Sequence, residues 1–442
     1  MVASALEVGQ LPHQAHLPVR KAMVVGIGNA LEFYDFLTFS YFAVQIGHVF
    51  FPESQTSHGL LYSLATFGLG FITRPLGGIV IGSYGDRVGR KAAMMVSFSL
   101  MGVAILGLAL TPSYAQIGMA APILLLLFRL IQGFALGGEV GPSTAFLIEA
   151  ARPRQRGFYL SFQYATQGLA IFTAGVVGFV LSSALTPVAL ESWGWRIAFL
   201  LGAAVVPVGI YIRRNLPETL HDSASLDSTL PASRYASPRV APRVILLGLL
   251  MLGSNTITTY VLNYMNTYAQ DTLKLGTHLA FVATIVMGVG YTVASPVGGI
   301  LSDRFGARRL MLCAQGALLI MVVPSFIILT HTGTFAALYT TTAVLTLTSQ
   351  MACVSVMVAI AGTLPKSVRS GFIATIYAVA VAVFGGSAQF IVKWLIDVTR
   401  SPLAPAWYLT GALIVGGLAM LAFRTPATPA SAQARPHPSG RP

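Results

Sequence analysis

RPLGGIVIGSYGDRVGRK (Arg74–Lys91) and PVGGILSDRFGARR (Pro296–Arg309) are two versions of one pattern, about half a chain apart. In the first, an apolar, glycine-rich helix end runs into Gly82-x-x-x-Asp86-Arg87-x-Gly89-Arg90-Lys91. In the second, Gly299-x-x-x-Asp303-Arg304-x-Gly306-x-Arg308 keeps the spacing. A helix–turn–helix corner that recurs at this distance implies two similar halves, and such a repeat decides the fold before any single residue does.

The rest of the chain says where those halves reside. Its 442 residues are 55% hydrophobic and 9% charged, with a mean hydropathy of +0.73. Soluble domains carry about 25% charged residues, so most of this surface must face something other than water. About a dozen apolar runs, each of roughly twenty residues or more, define an all-α polytopic membrane protein. The short alternating segments of a closed β-barrel do not dominate anywhere.

A net charge of +13 would suit a nucleic-acid binder, but its placement argues for topology instead. Most Lys and Arg fall in the two termini and in every second loop: Arg87, Arg90 and Lys91; Arg152, Arg154 and Arg156; Arg213, Arg214, Arg234, Arg239 and Arg243; Arg304, Arg308 and Arg309; Lys366 and Arg369. The opposite loops hold only Arg196, Lys274, Lys393 and Arg400. By the positive-inside rule the basic loops and both termini are expected in the cytoplasm, with the chain in a bacterial-type inner membrane. No nucleic-acid partner is expected; the lipid bilayer is. Cys313 and Cys353 fall within apolar spans, which indicates no disulfide framework. The first span is too long for a cleavable signal peptide and lacks a small-residue cleavage site.

Twelve helices read as 20–48, 59–83, 91–111, 118–150, 157–184, 192–214, 242–270, 277–301, 308–330, 334–362, 369–398 and 403–424. Residues 1–19 are expected to form a cytoplasmic tail, 20–214 one six-helix half, 215–241 a polar cytoplasmic linker and 242–424 the other half. The Pro/Ala/Ser-rich stretch 425–442 is expected to be a disordered cytoplasmic tail. Pro153-x-x-Arg156-Gly157-Phe158 before helix five is echoed by Pro365-x-x-x-Arg369-Ser370-Gly371-Phe372 before helix eleven. Two parallel pseudo-symmetric halves around a central cavity make the architecture of many secondary transporters.

Charges inside spans are the informative residues, because each costs at least about 2.5–3.5 kcal/mol at mid-helix. Five qualify: Glu32, Asp35, Arg74, Arg129 and Glu139. With a rise of about 1.5 Å per residue, Glu32, Arg74 and Glu139 all lie about 18–20 Å from the basic edge, near the midplane. Asp35 and Arg129 lie about one and three turns further out. Asn29, Glu32 and Asp35 share one broad face of helix one, and Arg129, Gln132, Leu136 and Glu139 one side of helix four. Gly133, Gly137, Gly138 and Gly141 with Pro142 let a neighbouring backbone approach or let helix four bend. Two readings stand for these charges. They are either ion pairs that only hold helices together, or carboxylates that exchange a proton as their surroundings change.

Arg74 is either a bidentate donor for an anionic substrate or a partner of helix carbonyls, Glu32 or Glu139. Lys393 either snorkels toward Asp397 or meets substrate. Gln163, Tyr164 and Gln167, then Asn255, Thr259, Tyr260 and Asn263, then Thr342, Thr346 and Gln350, and Tyr377 with Gln389, recur at helical spacing. They are interhelical hydrogen-bond residues singly and a wet lumen together. Asp86 with Arg87 and Arg90, and Asp303 with Arg304 and Arg308, are either topological anchors or a charge latch between the halves. The glycine-punctuated duplicate favours the latch.

These residues carry a resemblance. Gly82–Lys91 is similar to the loop-two signature of the major facilitator superfamily. Arg129-Leu-Ile-Gln132-Gly133-Phe-Ala-Leu-Gly137-Gly138-Glu139 resembles its helix-four motif. Gly28-Asn29-Ala-Leu-Glu32-Phe-Tyr-Asp35-Phe36, Gly70-Phe71-x-x-Arg74-Pro75-Leu76-Gly77-Gly78 and Trp193-Gly194-Trp195-Arg196 narrow it to the metabolite–proton symporters. The citrate/tricarballylate branch looks closest, by Ala30–Asp35 and Leu147-Ile148-Glu149-Ala150. Phe33 and Tyr34 stand where many members have a Trp-containing pair, and Ala307 replaces a basic residue of the second loop motif.

The resemblance implies proton coupling through Glu32, Asp35, Arg129 and Glu139. It implies substrate contacts from Arg74, Lys393 and the helix-seven polar face with Tyr260 and Asn263; by their spacing Asn29, Gln132, Tyr164, Gln167 and Gln350 are expected to join them, and Asp86, Arg87, Arg90, Asp303 and Arg304 to form a cytoplasmic gate. The expected protein is a monomeric proton symporter, not an enzyme, importing a di- or tricarboxylate of citrate type without a cofactor. Na⁺ in place of the proton stays open, as do α-ketoglutarate, shikimate, proline or betaine as cargo. A transport-like receptor or a membrane enzyme would need a signalling domain, zinc-ligand cluster, nucleophile elbow or phosphate loop, and none is present in the sequence.

Overall fold

The computed structural model describes residues 30, 33–52, 58–88, 90–137, 144, 147, 151–152, 154–214 and 241–423. The expected tails and the linker 215–241 lie outside the described residues, save Ala241. Within them the chain is helix after helix. We label the twelve crossing segments α1 (33–50), α2 (Gly59–Leu69 continued by Arg74–Val88), α3 (Arg90–Leu110), α4 (Ala120–Leu136), α5 (Arg156–Ala184) and α6 (Trp195–Arg214). The second set is α7 (Pro242–Asp271), α8 (Thr277–Phe305), α9 (Ala307–Thr332), α10 (Phe335–Thr363), α11 (Lys366–Ala380 to Gly386–Thr399) and α12 (Ala404–Ala422). Among the described residues, eight helical stretches are long and apolar enough to cross a bilayer, and α3 and α4 contribute shorter apolar helices.

The distribution of side chains is the reverse of a soluble protein. Leu76, Ile79, Val80, Leu110, Ile123, Ile320 and Leu418 face outward, whereas Ser40, Gln132, Asn263, Thr342, Gln350 and Gln389 are buried. Hydrocarbon offers no hydrogen bonds, so polar groups must find partners within the bundle. Trp193, Trp394 and Trp407 are exposed near the end away from the basic loops, as an interfacial aromatic belt requires.

Small residues set the helix spacing. The antiparallel pair α5 and α8 runs in contact along its length, and it joins the two halves. A Cβ on Gly157 would meet the Gly299 carbonyl at 2.5 Å, one on Gly168 the Thr292 nitrogen at 2.5 Å, and one on Gly178 the Phe281 ring at 2.1 Å. Within the first half, α2 and α4 are pressed together in the same way: a Cβ on Gly133 would lie 1.6 Å from the Gly70 carbonyl, and one on Gly137 2.0 Å from that of Arg74. Side chains that stay clear of the interface let backbones approach, which is how helices associate without a hydrophobic drive.

Two spans are locally irregular where the sequence pattern predicts unbroken helix. Between the two parts of α2, the amides of Phe71, Ile72 and Arg74 bond to the carbonyls of Gly68, Leu69 and Phe71, three residues back. In α11 a five-residue π turn occupies Val381–Gly385. The two helices cross beside these irregularities, with the Gly68 carbonyl against Gly386. π turns and broken spans occur where backbone groups serve a cavity or site.

Gly133→Val forces side-chain atoms into the Gly70 backbone and is expected to destabilise the fold by about 1–3 kcal/mol or more. Gly316→Ala, where nothing lies within 4 Å of a Cβ, is expected to leave the thermal midpoint of the purified protein unchanged.

Candidate functional site

The break in α2 leads directly into Arg74, which is 5% exposed. Its guanidinium carbon lies 4.5 Å from the Phe36 ring centre and 4.6 Å from that of Phe71. Arg129 of α4 has no exposed surface. Its guanidinium meets Phe36 at 4.4 Å, Phe39 at 4.5 Å and Phe67 at 5.0 Å. It donates to Gln132 Oε1 at 2.5 Å and to the Phe67 carbonyl at 3.4 Å, which the irregular turn of α2 leaves accessible. Among the described residues, no carboxylate is within ion-pair distance of either arginine, and the Nε of each has no acceptor.

Aromatic faces attract a desolvated guanidinium with about 0.5–2 kcal/mol each. Three of them around Arg129 therefore offset much of the roughly 2.5–3.5 kcal/mol that its charge costs in the membrane. The depths counted along the sequence separated Arg74 and Arg129 by about three turns. In the structure both guanidiniums rest on the one Phe36 ring. The rise per residue locates Cα atoms, and long side chains cross the remaining distance.

Buried polar side chains continue from Arg74 into the second half. The Arg74 charge reaches the hydroxyls of Tyr260 and Tyr377. The Tyr291 hydroxyl donates to Thr259 Oγ1 at 3.3 Å. Gln350 Oε1 meets Ser295 Oγ at 3.3 Å while its Nε2 has no acceptor, as do Gln132 Nε2 and Asn255 Nδ2. The unpartnered nitrogens of this region are donors, on arginines and amides. Such a set of donors is complementary to a ligand rich in acceptors.

Arg74, Gln132, Tyr164, Gln167, Tyr260 and Gln350 thus belong to one central region. Asn29, Glu32 and Glu139 lie outside the described residues. Asp35 turns away from the arginines: its Oδ1 has no partner and occupies the space left by Gly202 on α6, where a Cβ would be 1.6 Å away. Asn263 bonds Tyr41 across the halves, beside Ser40 with Gln389 at 2.7 Å and Gln45 with Gln270 at 3.1 Å. These contacts close the end opposite the basic loops with uncharged groups. Lys393 stands near that end too, between Asp271 and Asp397 at 2.8 Å each.

At the basic end, Asp303 of the second loop motif accepts from the backbone amides of Gly157 at 2.8 Å and Phe158 at 2.9 Å. It is an N-terminal cap for α5 supplied by the other half. Arg87 and Arg304 are exposed, and the Arg304 guanidinium lies 5.6 Å from the Phe305 ring centre. The side chains of Asp86 and Arg90 lie outside the described residues.

Sequence reasoning did not single out Phe36, Phe39, Phe67 and Phe71 as the arginine cage, nor Tyr291, Cys353 and Asp271. Phe36 and Phe39 were within reach of it, four and seven residues beyond Glu32 on the same face of α1.

The description Major Facilitator Superfamily matches residues 31–290, and Sugar (and other) transporter matches residues 221–431. The chain belongs to the major facilitator superfamily. It is 35% identical to a citrate-proton symporter of Klebsiella pneumoniae over 89% of this chain and 88% of that protein. It is 34% identical to the alpha-ketoglutarate permease of Escherichia coli over 89% and 91%, and 30% identical to that organism's proline/betaine transporter over 90% and 82%. The solved inward open xylose transporter XylE from E. coli superposes with a TM-score of 0.72 at 17% identity, over 92% of this chain and 96% of that one. The fold is accordingly the twelve-helix one, and the protein is a membrane transporter rather than an enzyme.

Removing the Asp303 carboxylate leaves two α5 amides without their acceptor. Asp303→Ala is expected to lower stability by about 1–2 kcal/mol, read as a fall in thermal midpoint, whereas Arg304→Ala leaves it within about 0.5 kcal/mol of the parent.

Proposed function

We propose that this transporter is a proton-coupled symporter that imports a di- or tricarboxylate of citrate type by alternating access. The observation that carries the reading is Arg74: a nearly buried guanidinium with no described carboxylate beside it, whose Nε has no acceptor, with further unpartnered amide donors on Gln132, Asn255 and Gln350. The citrate-proton symporter at 35% identity supports the same cargo class. A guanidinium fork pairs bidentately with a carboxylate, and the amides of Gln132, Asn255 and Gln350 supply further donors to a second one.

In this reading Glu32, Asp35 and Glu139 carry the proton and Arg129 links their state to closure of the site. Tyr164, Gln167 and Tyr260 line the path with Asn29, and Asn263 and Lys393 act toward the opposite end. The two halves, 20–214 and 242–424, rock about the midplane as a monomer, with both termini and the linker in the cytoplasm. Asp86, Arg87, Arg90, Asp303 and Arg304 hold the cytoplasmic end closed. Protons are the coupling ion and no cofactor takes part. The alpha-ketoglutarate permease relative favours a second reading, a 2-oxo dicarboxylate at the same arginine.

A thermal-shift screen of the purified protein against citrate, tricarballylate, succinate, α-ketoglutarate, shikimate, proline and betaine discriminates these. Citrate and tricarballylate are expected to stabilise, and the shift is expected to vanish in Arg74→Ala. Stabilisation by betaine alone would sink the tricarboxylate reading. In proteoliposomes with an imposed proton gradient, Glu139→Gln is expected to abolish uphill accumulation while exchange of bound cargo persists; undiminished uphill uptake removes Glu139 from coupling.

A further inference from the structure

Phe36 of α1 has no exposed surface, and both Arg74 and Arg129 rest on its ring. Their guanidinium carbons lie 4.5 Å and 4.4 Å from its centre. Each cation also has rings of its own, Phe71 for Arg74 and Phe39 with Phe67 for Arg129. Among the described residues, Phe36 is the ring they share. It packs against Phe71 at 4.6 Å, with 81° between the planes, and against Phe67 at 5.2 Å. Tyr260 of α7 joins the cluster from the second half, 5.3 Å from Phe71 and 6.1 Å from Phe67.

An aromatic ring attracts a cation through the negative charge of its faces. Two guanidiniums placed about 4.5 Å from one ring centre are at most about 9 Å apart, with little water between them to screen their charges. They draw on one source of attraction and repel each other. We infer that Phe36 is a positioning residue that couples the two arginines: a carboxylate bound at Arg74 leaves the ring to Arg129 and tightens α4 against α1 and α2. The inference rests on the reading of Arg74 as the cargo contact.

A bidentate carboxylate is a stronger partner for a guanidinium than a ring face, so Arg74 gives up Phe36 as its fork engages. The carboxylate cancels the repelling charge in the same step. Arg129 is tied to Gln132 Oε1 and to the Phe67 carbonyl, and it keeps the ring. Phe67 and Phe71 both touch Tyr260, so the change in the cluster also meets α7. Coupling of this kind is reciprocal: whatever holds Arg129 on the ring raises cargo affinity by the same factor.

The test replaces Phe36 in the full-length protein by 3,4,5-trifluorophenylalanine, which keeps the shape of the ring and cancels the negative charge of its faces. Hydrogen exchange of α4 is followed with and without citrate or α-ketoglutarate, relative to α9, which contributes nothing to the cluster. In the parent, a bound carboxylate is expected to slow exchange in α4 by about fivefold or more beyond any slowing in α9. In the fluorinated protein that excess is expected to vanish, while cargo still binds about fivefold more weakly. Phe36→Leu, which removes the ring, is expected to match the fluorinated protein, and Phe36→Tyr, which keeps the face, to match the parent. Excess protection of α4 that survives fluorination overturns the inference while leaving cargo at Arg74. A parent whose thermal midpoint neither carboxylate shifts, or an Arg74→Ala variant that keeps the shift, overturns the cargo assignment and the inference with it.

Discussion

A guanidinium with no exposed surface, held among membrane-spanning helices, has to be satisfied entirely by protein, and much of the first half is arranged around that demand. Arg129 receives three aromatic faces, one amide oxygen and one backbone carbonyl. The carbonyl is accessible because α2 loses its regular hydrogen bonding after Leu69. The close approach of α2 to α4 exists because Gly70, Gly77, Gly133 and Gly137 lack side chains where the backbones touch. Arg74, just past the break in α2, rests on the same Phe36 ring. One electrostatic problem thus links the helix break, the glycine contacts and the placement of the second, cargo-facing arginine.

The two ends of the bundle are closed by different means. Near the basic loops a single carboxylate from the second half caps a helix of the first, through two backbone amides. At the other end, uncharged side chains from α1 meet α7 and α11. Between these ends the glycine-lined α5–α8 contact offers a smooth surface with few side chains to disengage. A carrier that alternates must be able to undo each closure separately. Neutral hydrogen bonds at one end and a charged cap at the other respond differently to protonation and to salt.

Most of the architecture was legible beforehand. Where residues are described, helix positions agree within a few residues, because hydropathy windows report directly on the bilayer's thickness; the start of α1 and the end of the expected helix four lie outside them. Of the five intramembrane charges, Arg74 and Arg129 share the Phe36 ring, Asp35 faces α6, and Glu32 and Glu139 lie outside the described residues. Two features were not legible. The π turn of α11 has no proline in the sequence to mark it, and Pro75, which follows the irregular turn of α2, read there as part of an unbroken apolar span. The phenylalanines of the cage read as ordinary apolar residues, as nothing in a hydropathy profile separates a ring that faces lipid from one that faces an arginine.

The duplicated loop motif, the run of apolar segments and the asymmetry of Lys and Arg were enough to indicate a two-half membrane carrier. These are properties of composition and period, and each residue bears them alone. Which charge faces which partner was decided only by the tertiary structure. Asp35 went to Gly202 instead of the arginines, Asn263 to Tyr41, and Lys393 to a pair of aspartates on two helices. Helical spacing specifies a face, whereas a partner depends on how neighbouring helices are rotated and how closely their glycines let them approach, and that is settled by packing across the whole bundle.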